Sequence, residues 1–228
     1  MTYRLALLLC LALAAPAQAG WSFSTGDASA TVEGTKRVEG SGHVVTQARQ
    51  IGGFKAVQTK GSFDLDLQIG AATSLSVEAD DNLQGLIRTE VRDGTLVVDS
   101  TGSWSSEHSP RIHVVLPALD AVAVDGSGDA VLQGLAGGDL ALRVNGSGDL
   151  DASGRVDSLS VLLNGSGDAR LGKLAAASAK VRINGSGDAT VKVSGTLDAI
   201  VNGSGDIRYS GGAQVTSTIH GSGSVEKE

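Results

Sequence analysis

One pentapeptide recurs through the second half of this chain at nearly constant spacing. Asp125-Gly126-Ser127-Gly128-Asp129 returns at 145–149, 164–168, 184–188 and 202–206, each time led by Asn. A worn copy follows as His220-Gly221-Ser222-Gly223-Ser224. The leading glycines are separated by 20, 19, 20, 18 and 18 residues. A fixed period of this length marks a repeat architecture, in which each unit buries its apolar face only against its neighbours.

The flanks of the pentapeptide decide what kind of repeat it is. Before it, apolar positions alternate with variable ones: Leu140, Leu142, Val144; Leu159, Val161, Leu163; Ala179, Val181, Ile183; Leu197, Ala199, Val201. After it come Leu150 and Ala152, Ala169 and Leu171, Ala189 and Val191, Ile207 and Tyr209. This is period two, the pattern of strands with one buried face. The fold expected is therefore all-β, a solenoid with coils of 18–20 residues and like positions stacked about 4.8 Å apart. Regular coils should run from about residue 120 to 224 within a single domain over 44–228.

The pentapeptide admits two local readings. A strand passing straight through it would turn Asn, Ser and Asp outward and both glycines inward. A bend would use the glycines for positive φ and could turn the serine inward. The bend is favoured, because two glycines bracket a polar residue.

Composition suits stacked sheets. Aromatics make up 3% of residues, so the core must be thin and built from Val, Leu, Ile and Ala. A formal charge of −7 argues against a nucleic-acid partner, which wants a basic face. Arg4, the apolar run from Leu5 to Ala15, and Ala17-Gln18-Ala19 read as a signal peptide over 1–19. That run is short of the 20 or so apolar residues a bilayer span needs, so no stable membrane span is expected after cleavage. Cys10, the one cysteine, lies within the run, leaving the mature chain without disulfide or thiolate chemistry. Residues 20–43, rich in Gly, Ser, Thr and charge, read as a flexible leader.

From Val44 onward strand-like runs begin. Gly61-Ser62-Phe63-Asp64 reads as a degenerate corner, and Arg92-Asp93-Gly94-Thr95 as a hairpin turn. Asp81 to Ile87 is assigned one short helical turn, and 100–110 a polar loop holding Trp104 and His108. At the far end, the worn repeat and Glu226-Lys227-Glu228 read as protection for an open sheet edge.

The repeat also sets out the candidate chemistry. Asp129, Asp149, Asp168, Asp188 and Asp206 should stand in one column. At about 4.8 Å, each neighbouring pair repels by roughly 0.9 kcal/mol even in bulk water, so something must offset the column. One answer is backbone N–H donation to each carboxylate at its own turn. The other is a divalent cation, calcium first because it prefers oxygen ligands. The column of Asn145, Asn164, Asn184 and Asn202 suits an amide ladder. His43, His108, His113 and His220 are scattered, and the acids repeat in every coil without a unique pair. An enzyme is not expected, and no catalytic or cofactor residues are assigned. A glycan-processing activity would have to rest on an unrepeated acid such as Glu107.

Several motifs in order carry a family resemblance. They are Arg49-Gln50-Ile51-Gly52-Gly53-Phe54, Gly61-Ser62-Phe63-Asp64, Asp81-Asn82-Leu83, Asp93-Gly94-Thr95-Leu96, Val114 to Leu119 and the serial Gly-Ser-Gly-Asp turns. Together, over roughly 45–225, they resemble the bacterial "putative auto-transporter adhesin, head GIN domain" proteins. The resemblance implies a right-handed parallel β-helix-like fold in an exported protein, periplasmic or secreted to the cell surface. It brings no catalytic residues, and no translocator barrel of lipid-facing strands follows the repeats. The function expected is an interaction or adhesion module presenting a polar Asn/Ser/Asp face to a carbohydrate or another cell-surface component. The alternative is a purely structural scaffold.

Overall fold

The computed structural model describes residues 37–228. The readings of 1–19 as a signal peptide and of 20–36 as leader lie outside the described residues. The described chain is all-β, as the period-two pattern requires. It opens with β1 (Val38–Glu39), β2 (Val44–Ala48), β3 (Ala56–Gly61), β4 (Asp64–Ile69), β5 (Ser74–Asp80) and β6 (Ile87–Arg92). There follow β7 (Thr95–Ser100), β8 (Trp104–Ser105), β9 (Arg111–Leu116), β10 (Ala121–Gly126), β11 (Ala130–Ala136) and β12 (Asp139–Gly146). The long strands β13 (Leu150–Gly165), β14 (Ala169–Gly185) and β15 (Ala189–Gly203) each trace nearly a whole coil, and β16 (Ile207–Ser210), β17 (Gln214–Gly221) and β18 (Val225–Lys227) close the stack.

Two parallel ladders run the length of the solenoid, one on each side of the glycine corner. Before the corner the order is β7, β3, β10, β12, β13, β14, β15, β17. After it the order is β9, β4, β11, β13, β14, β15, β16, β18. Space and sequence disagree at the front. The coil of β7 and β9 follows β3 and β4 in the chain but stacks beneath them, while β10 and β11 stack on the other side. Antiparallel strands finish that end: β6 on β7, and β5 with β2 on β9. Parallel coils therefore occupy the repeat, and antiparallel hairpin-like pairing the front.

The core is a set of stacked columns. Leu96, Val57, Val122, Leu142, Val161 and Val181 form one; Ile112, Leu65, Ala130, Leu150, Ala169 and Ala189 form another on the second ladder, all nearly or wholly inaccessible. Among the described residues only Phe54 and Phe63 put rings into this core, and the rest of it is close-packed from aliphatic side chains. Each fully buried Leu, Val or Ile contributes about 1.5–3 kcal/mol by leaving water.

Of three front-end expectations, one holds and two differ. The Arg92–Thr95 hairpin forms as expected, with positive φ at Asp93 (49°) and Gly94 (73°), the pair a type I′ turn needs. Asp81 to Ile87, expected to make a helical turn, instead form hydrogen-bonded turns over 81–86 and enter β6 at Ile87, with Leu83 N donating to Asp80 O and Leu86 N to Leu83 O (both 2.9 Å). Leu83 is drawn fully under the sheet, and the Gln84 amide donates to Val45 O and Val77 O. These tertiary ties override the weak local preference for helix. Val38–Glu39, placed by sequence in the leader, is strand β1 and pairs in parallel with Trp104–Ser105.

Candidate functional site

The pentapeptides stack into one continuous corner edge. Each strand ends at the first glycine, whose φ lies between +132° and +150° in all six copies. The chain bends there, as the bend reading requires, yet the in-and-out alternation persists. Ser127, Ser147, Ser166, Ser186 and Ser204 are exposed, and the second glycine of each of those corners is buried. The serine therefore points outward.

Neither sequence reading gave the main reason for the glycines. A Cβ on Gly165 would sit on the carbonyl oxygen of Gly146, and one on Gly167 on the carbonyl oxygen of Gly148. The same holds up the column, because the corner backbones lie directly on one another. Ser166 N donates to Gly146 O at 2.9 Å and Leu150 N to Asp168 O at 2.8 Å, so the corners are hydrogen-bonded as a ladder.

Three rows of side chains follow from that stacking. In the asparagine row, Asn202 donates to Asn184, Asn184 to Asn164 and Asn164 to Asn145 at 2.7–2.8 Å. Asn145 in turn donates to Asp125 Oδ1 at 2.5 Å, and Gln58 donates to Asp125 Oδ2 from the other side at 2.5 Å. Every amide points its donor the same way, so the residue receiving both ends must be acceptor-only. That is why the first copy carries Asp where the others carry Asn.

Partial burial acts to raise the Asp125 pKa. The hydrogen bonds from Gln58 and Asn145, with Arg143 and Lys60 nearby, outweigh it and hold the carboxyl below the ordinary carboxylate range. The stabilisation it brings is complete above the unfolded-state value of about 3.9 and is lost as pH falls through the lower folded value. Asp125→Asn should therefore cost about 1 kcal/mol at pH 7. The gap from wild type should narrow as pH falls below about 4. Denaturant unfolding at pH 7 and pH 3 checks this; an unchanged gap would remove Asp125 from the role of ladder terminus.

The aspartate row is offset by backbone N–H groups, but not by those of each aspartate's own turn. Each Oδ1 accepts the backbone N–H of the next coil's aspartate rather than one in its own turn. Asp149 N donates to Asp129, Asp168 N to Asp149, Asp188 N to Asp168 and Asp206 N to Asp188 at 2.8–3.0 Å. The outer oxygens face arginines that the sequence reading missed. Arg170 reaches Asp149 (2.8 Å), Asp168 (3.4 Å) and Asp151 (3.6 Å), and Arg208 reaches Asp188 (3.7 Å) and Asp206 (3.6 Å). The hydrogen bond to Asp149, with the acidic charges around it, raises the Arg170 pKa. The available signal was Asp-x-Arg at 168–170 and 206–208, since positions two apart share a strand face.

A cation on this row would compete with Arg170 and Arg208 for the same outer oxygens, and among the described residues no three His or acidic groups converge as a metal site. Arg170→Ala should lower stability by about 0.5–1 kcal/mol at low salt and by less at 1 M, since exposed pairs are screened. Urea titrations at two salt concentrations check it; a loss that does not change with salt would point to packing instead.

A stacked parallel solenoid with a glycine corner and three polar rows defines a class of repeat proteins that present a regular face. More specifically, the chain belongs to the family described as "putative auto-transporter adhesin, head GIN domain", which matches residues 53–213. Among solved structures it is similar to an adhesin, so described as putative, from Bacteroides fragilis, at 21% identity and TM-score 0.70 over 84% of this chain and all of that one. A putative lipid binding protein from Parabacteroides distasonis matches at 25% identity and TM-score 0.56 over 85% of this chain and all of that one. A putative adhesin from Parabacteroides merdae matches at 19% identity and TM-score 0.51, over 84% of this chain and 99% of that one. No curated protein sequence matches the chain. No helix among the described residues is long and apolar enough to cross a membrane.

Proposed function

We propose that this chain is a non-enzymatic adhesion module, exported to the cell envelope or beyond, whose corner edge contacts a carbohydrate or other surface component. The observation that carries the reading is the serine row. Ser147, Ser166, Ser186 and Ser204 are exposed at a regular inter-coil interval, and none of their hydroxyls bonds another side chain among the described residues. The Asn and Asp rows on either side are tied into ladders, so the serines are the groups left to bind. Family membership supports the adhesion reading. The description of the Parabacteroides distasonis protein names lipid as the other class of surface component.

Retention of the purified protein on cells and on glycan-coated beads tests the proposal. Ser147, Ser166, Ser186 and Ser204 replaced together by Asp should lose retention while thermal unfolding stays within a few degrees. Wild-type protein retained by neither would leave a scaffold; retention on lipid vesicles alone would move the partner to lipid. Calcium on Asp129, Asp149, Asp168, Asp188 and Asp206 is a separate proposal. Calorimetric heat that grows in Arg170→Ala would support it; no heat and no stabilisation in millimolar calcium would end it.

A further inference from the structure

One corner of the solenoid departs from the repeat. In the coil of β7 and β9, the place that Gly-Ser-Gly-Asp holds elsewhere is taken by residues 101–110, which include β8. Long insertions at the corner of a regular scaffold are where binding sites collect. Here the insertion walls a cleft of about 720 Å³, within the range of small-molecule sites. Trp104 is half-buried in its wall, tilted against the buried Phe63 ring at a centroid distance of 6.0 Å.

The frame of the cleft is held in place, but much of its lining is not engaged. Val38 N donates to Ser103 O (2.9 Å), Gly40 N to Ser105 O (2.7 Å), Thr101 N to Leu86 O (2.8 Å) and the Ser106 hydroxyl to Asp80 (2.5 Å). The hydroxyls of Ser100, Ser103, Ser105 and Ser109 and the indole N–H of Trp104 have no hydrogen-bond partner among the described residues. Hydroxyl donors and acceptors around one aromatic plane suit a sugar, which offers hydroxyls at its rim and an apolar C–H face to an indole.

Charge narrows the class. In a chain of net charge −7, no acid lines this cleft, whereas Arg37 and His108 do. Arg37 donates through Nε to Trp104 O at 3.1 Å and has no acidic partner within ion-pair distance among the described residues. Its remaining N–H groups suit a carboxylate. Glu39 and Glu107 line a neighbouring depression, with Ser105 and Ser106 in the wall common to both. We infer that the Trp104 cleft binds a saccharide bearing a carboxylate, with its ring on the indole and its acid on Arg37. This goes beyond the serine-row contact, which lies on the regular corners.

The test uses protein purified as the cell processes it, on an array of sialylated, uronic-acid and neutral glycans. The array is followed by fluorescence titration with the strongest acidic ligand and its uncharged counterpart. Acidic glycans should be retained over neutral ones. Arg37→Gln should weaken the acidic ligand at least tenfold and leave the uncharged one within twofold. Trp104→Phe, which keeps a ring against Phe63, should weaken both about fivefold or more and abolish the ligand-dependent change in emission. No acidic glycan retained, equal retention of neutral ones, or affinity unchanged in both variants would each overturn the inference. Cell retention that depends on the serine row but not on Trp104 or Arg37 would overturn it while leaving the adhesion reading intact.

Discussion

Gly167→Ala should unfold the solenoid or cost about 4 kcal/mol or more, the range kept for a few severe mechanisms. The added methyl would lie on the carbonyl oxygen of Gly148 below it, with the carbonyl carbon and then the amide nitrogen of Gly148 next nearest. Backbone cannot swing aside as a flexible side chain can. The corner could only open by lengthening the bonds that tie Ser166 N and Gly167 N to Gly146 O and Asp168 N to Asp149. Each coil is a neighbour's only cover, so a parted corner also loosens the columns through Leu163 and Leu171. Gly172→Ala is the control, since its methyl would meet only Thr190 Cγ2 at 3.5 Å, with no positive φ to strain. It should stay within about 1 kcal/mol of wild type. Guanidinium unfolding of the two variants decides the matter; equal midpoints would mean the glycines serve the turn alone and not the stacking.

That comparison also marks where the sequence was legible. The repeat interval and the alternation around residues 140–144 and 159–163 were enough for an all-β solenoid, because a period of two and a period of one coil are both visible in one dimension. The Arg92–Thr95 hairpin was legible for the same reason: its turn chemistry is local. The stacking of β7 and β9 beneath β3 and β4 was not, since chain order carries no sign of which side of a coil the next one joins.

The site divides along the same line. Rows of Asn and Asp could be read from the repeat, but not that Asp149 Oδ1 takes its proton donor from the coil above. Arg170 and Arg208 are less legible because the position two past the aspartate is Arg in only two copies and Val131, Asp151 or Thr190 in the others. Trp104 was seen only as part of a polar loop. Its significance comes from Phe63 and Arg37, which lie 41 and 67 residues earlier and meet it only in the folded chain.

Phe63 gives the sharpest case of a residue that breaks the repeat for a physical reason. In Gly61-Ser62-Phe63-Asp64 it takes the place of the second glycine, where every later corner admits no side chain. It can do so because the coil beneath has no Gly-Ser-Gly corner: residues 101–110 stand there instead, and the ring packs against Trp104. At 1% exposure it is among the most buried large side chains of the protein. Restoring the consensus with Phe63→Gly should therefore harm the fold, and Phe63→Ala should cost about 3–5 kcal/mol through the cavity left behind. Phe63→Leu, which refills part of the space, should recover roughly half of that loss. Thermal and denaturant unfolding of the three variants give the order, and Trp104 emission should shift to the red as its packed face is wetted. A Phe63→Gly protein as stable as wild type would show that the corner beneath closes up like the others and that the cleft is not a fixed feature of the fold.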